Sequence, residues 1–121
     1  MPLASQSLTA LVALLHVYFL VLEMFLWATP FGQKTFGRSR EEQESTRALA
    51  ANQGLYNGFL AAGLVWSLFA GDALAFPLPL FFLGCVVIAG LYGAATASRK
   101  ILFVQALPGA AAFLVTLFAR G

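Results

Sequence analysis

Apolar residues run through the chain in four long blocks, about 5–28, 47–70, 79–97 and 101–119, separated by short polar or turn-forming stretches. The hydrocarbon core of a bilayer is about 30 Å thick and takes a helix of about 20 residues to cross. Each block therefore predicts one spanning helix. The first, from Ser5 to Ala28, is too long for a signal-peptide core, and it has neither a basic stretch ahead of it nor a small-x-small cleavage pattern; it reads as an uncleaved span. Residues 29–46 form the one sizeable hydrophilic stretch, a loop that opens on Pro30-Phe31-Gly32 and carries Lys34, Arg38, Arg40, Glu41, Glu42 and Glu44. Within it, Ser39 followed by Glu42 fits a capping box, which would start the second helix near Arg40 and carry it to about Ala70. Gly71, Asp72, Pro77 and Pro79 mark the next turn, and Ser98-Arg99-Lys100 makes a tight polar connection. Pro108-Gly109 interrupts the fourth helix, because Pro108 has no N–H to give the carbonyl of Val104.

Composition carries the same message. Of 121 residues, 60% are hydrophobic and 10% charged, with a mean hydropathy of +0.84; a water-soluble domain needs a larger polar surface. The expected fold is all-α: a single membrane domain of four transmembrane helices in an up-down bundle, with the lipid bilayer as its first partner. The net charge of +2 does not advertise nucleic acid, since six of the seven basic residues sit in two short segments beside apolar blocks. Lys34, Arg38, Arg40, Arg47, Arg99 and Lys100 fall on one side and Arg120 on the other. By the positive-inside rule both basic loops are cytoplasmic and both termini lie outside, periplasmic or extracellular. Cys85 stands alone in an apolar run, so the chain offers no intramolecular disulfide and no paired-cysteine site.

With that orientation, the intramembrane polar residues gather in the cytoplasmic halves of the spans: Glu23 and Trp27; Asn52, Gln53, Tyr56 and Asn57; Tyr92 and Thr96; Gln105; and His16 nearer the middle of the first span. At 100° per residue, Asn52, Gln53, Tyr56 and Asn57 share one arc of the second helix, beside a small-residue stripe of Ala50, Gly54, Gly58 and Ala62, with Leu55, Phe59 and Trp66 left for lipid. Ala89, Gly93 and Ala97 offer a similar stripe on the third. Such stripes let helix backbones approach closely, and the polar arc is expected to point into the bundle. His16 and Glu23 lie on nearly the same face but about 10 Å apart along the axis. An ionisable side chain inside a span is costly, and by default it marks a functional position. One His and one Glu at that separation do not make a metal site, and nothing in the sequence calls for a cofactor.

Each residue also has a packing reading. Asn52, Gln53 and Asn57 can be interhelical glue, Trp27, Tyr56 and Tyr92 interfacial anchors, His16 an interior histidine, and Glu23 a partner of Arg47 or Lys100.

The strings from His16 to Trp27 (HVYFLVLEMFLW), from Leu49 to Gly58 (LAANQGLYNG), and from Gly90-Leu91-Tyr92-Gly93 through Ser98-Arg99-Lys100 resemble a family of small bacterial four-span membrane proteins, domain of unknown function 1304. The similarity covers nearly the whole chain. It implies a multi-pass protein of the bacterial cytoplasmic (inner) membrane and carries over no activity and no binding residues.

Three functions fit these features. The first is a cytoplasm-facing pocket for a small amphipathic or polar ligand, lined by His16, Glu23, Trp27, Asn52, Gln53, Tyr56, Asn57, Tyr92 and Gln105, with Glu23 exchanging a proton in a transport version that calls for a homodimer. The second is a membrane-embedded enzyme using Glu23 or His16 for proton transfer on a lipophilic substrate. The third is a structural or assembly protein whose stripes and polar arc serve helix contacts.

Overall fold

A computed structural model describes residues 2–119. Arg120, the one basic residue on the outer side of the charge count, lies outside them. The described residues form helices and no strands: α1 (Leu3–Met24), α2 (Pro30–Phe36), α3 (Arg40–Ser45), α4 (Arg47–Phe69), α5 (Pro77–Thr96), a π-helical turn (Leu102–Ala106) and α6 (Leu107–Ala119). Among the described residues three helical stretches are long and apolar enough to cross a membrane: Leu3–Met24, Pro77–Thr96 and Leu102–Ala119. α4 has the length, at 23 residues, but Asn52, Gln53, Tyr56 and Asn57 make its first half too polar to join them.

The helix ends follow local chemistry. α1 stops at Met24, short of the expected Ala28, where the amides of Phe25 and Leu26 both turn back to the carbonyl of Val21. Pro30 occupies the first turn of α2, where its missing N–H costs nothing. The capping box forms as expected: Ser39 Oγ accepts from the Glu42 amide and the Glu42 carboxylate accepts from the Ser39 amide. Those bonds hold the Glu42 carboxyl below the usual carboxylate range.

The helix begun there does not continue to Ala70. It breaks at Thr46, whose hydroxyl bonds back to the carbonyl of Glu42 at 2.8 Å and also receives the Trp27 indole N–H; a side chain bonding its own backbone in this way competes with helix continuation. α5 starts at Pro77, two residues ahead of the expected Pro79. The interruption expected at Pro108 appears just upstream of it as the π-helical turn, in which the Leu107 amide reaches the carbonyl of Leu102.

The chain divides into two units. One comprises residues 1–15 and 60–121. Its core is Val12, Ala13, Leu64, Leu83, Val86 and Ala112, backed by Leu8, Leu60, Phe82 and Phe113. Here α5 lies hard against the π-helical turn: a Cβ on Gly90 would stand 2.6 Å from the Ala106 nitrogen, so only glycine allows that approach. The point of closest contact is thus Gly90, whereas Ala89 and Ala97 of the expected stripe are exposed. Outside this core, Phe69, Ile88, Phe103 and Phe118 are exposed, an outer surface suited to hydrocarbon.

The other unit comprises residues 16–59: the second half of α1, the short helices α2 and α3, and the first half of α4. α2 closes on Gly37 in the left-handed region, φ 63°, a conformation glycine adopts without cost.

Candidate functional site

In the second unit the buried face of α4 runs through Ala50, Gly54 and Asn57. It is set by small residues. A Cβ on Gly54 would meet Met24 Cγ at 2.7 Å, Glu23 Cβ at 3.1 Å and the Leu20 carbonyl at 3.3 Å, and one on Gly58 would meet Leu20 Cδ1 at 2.7 Å. The two glycines therefore seat α4 on the last turns of α1. Asn57, flanked by them, is carried inward to within reach of Glu23. Its side-chain N–H donates to the Glu23 carboxylate. Asn57 is buried and Glu23 half-buried, so the amide supplies a partner that water cannot fully supply there.

The rest of the expected polar arc turns the other way. Asn52, Gln53 and Tyr56 are exposed, and the Tyr56 ring packs beside Phe59 with centroids 5.9 Å apart. This corrects the expectation that the whole arc points inward. The close approach of two helices selects the small-residue face, and bulky amides one notch around the helix are turned out by it. Ala62 of the expected stripe is likewise exposed, while Leu55, Phe59 and Trp66 are exposed as expected.

Trp27 belongs to a clasp around α2 and α3. Its indole N–H donates to Thr46 Oγ1 at 3.0 Å, its ring packs on Phe36 with centroids 4.6 Å apart, and its carbonyl accepts from Gln43 Nε2 at 2.7 Å. Gln43 is fully buried and sequence reasoning missed it, because a Gln inside the charged run Arg40–Ser45 carries no signal of burial. His16 is also fully buried, with its ring edge-on to Phe19 at 5.1 Å. Arg47, weighed as a partner of Glu23, lies 3.7 Å from Glu44 instead.

Tyr92 and Gln105 belong to the first unit. Tyr92 is 71% exposed, and Gln105 sits partly buried in the π-helical turn. Among the described residues no three His, Cys, Asp or Glu side chains converge as metal ligands. Of the nine residues expected to line one pocket, the structure brings Glu23 and Asn57 together by a hydrogen bond.

The first unit holds a second polar cluster. Ser5 and Thr116, both buried, share a hydrogen bond of 2.6 Å across 111 residues of sequence. One turn along α1 from Ser5, Thr9 is fully buried and its hydroxyl has no partner. A cavity of about 300 Å³ opens beside the pair, lined by Pro2, Ser5, Asp72, Ala75, Phe76, Thr116 and Ala119. Another, of about 330 Å³, is lined by Leu3, Gln6, Ser7, Ala10, Leu68 and Phe69. None of the nine expected residues lines either one.

Comparison with known proteins places the sequence in a family. Residues 10–117 match the family described as "Protein of unknown function (DUF1304)". Over 107 residues the chain is 33% identical to "Uncharacterized protein YpaA" of Lactococcus lactis subsp. lactis (strain IL1403), covering 87% of this chain and 89% of that protein. No solved structure matches.

Proposed function

The chain belongs to the DUF1304 family, and on that premise we propose that it is a four-span protein of the bacterial inner membrane, termini outside, whose Glu23–Asn57 pair is a cytoplasm-facing site for a small polar or amphipathic ligand taken up in exchange for a proton. The observation that carries this reading is the pair itself. A carboxylate sits in the last turn of an apolar helix long enough to span a bilayer and is met by one buried amide. A lone membrane carboxylate of this kind can hold a proton or a cation but not both, which is the minimum requirement for exchange. His16, two turns away and fully buried, is a second titratable group on the same face, suited to passing a proton. α4 completes the fourth span in this reading, with Asn52, Gln53 and Tyr56 at headgroup depth or against a second copy in a homodimer.

The test is proton movement in vesicles. The full chain is reconstituted around a pH-sensitive dye and challenged with a panel of cationic and polar solutes. Solute-driven acidification or alkalinisation is expected in the wild type and should fall at least about tenfold in Glu23→Gln, with the melting temperature kept. Proton movement unchanged in Glu23→Gln would overturn the reading, as would silence of the wild type toward every solute.

A second reading has its own observation. Gly54 packs so closely on Glu23 and Met24 that the pair also works as an interhelical tie, worth about 0.6–2 kcal/mol. The protein would then be an assembly element.

A further inference from the structure

We propose that the cavity beside Ser5 and Thr116 is a binding site for an ethanolamine-type group, a primary ammonium carried two carbons from an acceptor oxygen. Three observations converge. Among the described residues Asp72 is the one charged residue lining the cavity, and it is held in a turn in which the Gly71 carbonyl accepts from the amides of both Leu74 and Ala75. An anion beside an aliphatic and aromatic lining that includes Ala75, Phe76 and Ala119 selects a cation small enough to enter about 300 Å³.

The hydroxyls ask for the opposite partner. Ser5 and Thr116 are buried and bonded to each other. A single bond between two hydroxyls spends one of their two protons, so the pair retains a donor with an acceptor still to find. A ligand that donates N–H bonds to Asp72 and accepts from Ser5 or Thr116 satisfies both ends. A primary ammonium next to a phosphate or hydroxyl oxygen has that pattern.

The depth is right for one source of such a group. The first turn of α1, the turn before α5 and the end of α6 all line this cavity, and these are the ends of the three helices able to cross a membrane. In a bilayer that is headgroup level, where ethanolamine phospholipids present an ammonium and a phosphodiester together. A free amine from the water phase offers the same chemistry. The lipid source rests on the membrane reading above, whereas neither source depends on Glu23.

The experiment uses the full chain in detergent, with lipids of identical acyl chains added and retention read by native mass spectrometry. Phosphatidylethanolamine should be retained about tenfold over phosphatidylcholine, whose trimethylated nitrogen has no N–H to donate. Asp72→Asn, in an exposed turn, should remove that preference while leaving the lipid-free melting temperature unchanged. Free ethanolamine that displaces the lipid would identify a site open to soluble amines, and failure to displace it a site that needs the lipid; both outcomes support the proposal. Equal retention of the two lipids by the wild type, or a preference that survives Asp72→Asn, would overturn it and would leave the proton test of Glu23 untouched.

Discussion

The two polar clusters are built on opposite principles. At the end of α1, in the unit of residues 16–59, an ionisable carboxylate receives one amide hydrogen bond, and two glycines on α4 create the approach. At the start of α1, in the other unit, neutral hydroxyls pair with each other and leave bonding capacity over beside a cavity. The first arrangement fixes a charge-bearing group in a tight seat. The second leaves room. The carboxylate can hold a proton or the cationic end of a ligand in turn, whereas the cavity rimmed by Asp72 takes in a whole small group.

The difference can be broken at its strongest point with Gly54→Leu. The side chain would drive into Met24, Glu23 and the Leu20 carbonyl, and overpacking of that kind costs about 1–3 kcal/mol or more; thermal denaturation should show the largest loss of any substitution named here. Asn57→Ala comes next. It leaves the half-buried Glu23 carboxylate without its amide, at a cost of about 1–3 kcal/mol, and the loss should shrink in the Glu23→Leu background, where no carboxylate remains to be orphaned. In the other cluster Thr116→Val orphans the neutral Ser5 hydroxyl rather than a carboxylate, and should fall at the lower end of the same range of about 1–3 kcal/mol. If it costs more than Asn57→Ala, the contrast between the clusters fails.

Two smaller effects sharpen it. Glu42 has its carboxyl held down by Ser39, so the cap stabilises α3 above the ordinary carboxylate value of 4.5 and is lost as pH falls through the lower folded value. Amide exchange at Glu42 and Gln43, corrected for intrinsic rates, should lose protection below about pH 4.5 and not in the range from 5 to 8. Thr9→Val should be neutral or slightly stabilising in melting experiments, because the hydroxyl it removes has no partner.

Much of this was legible from the sequence, and the misses have a common cause. Apolar blocks and the capping box translate directly into helices because they depend on nearest neighbours, and Glu23 and Asn57 stand out because polar groups in apolar helices are costly. The inward face of α4 was misjudged at Asn52, Gln53 and Tyr56. A helical wheel ranks faces by polarity, but here the face was chosen by how closely Gly54 and Gly58 let α4 approach α1. Ser5 with Thr116 could not be read at all, since the bond joins residues 111 positions apart and neither residue type announces burial. Gln43 escaped for a similar reason: its burial depends on the clasp made by Trp27, a contact across 16 positions.

The most direct test of the central claim is access to position 57 from each side of the membrane. In a Cys85→Ser background, Asn57→Cys is exposed to a membrane-impermeant thiol reagent in inside-out and right-side-out vesicles. A water-reachable cytoplasmic site predicts modification in inside-out vesicles only. Modification in neither would make Glu23 and Asn57 a dry helix tie, and modification from the outer face alone would invert the orientation on which the functional reading stands.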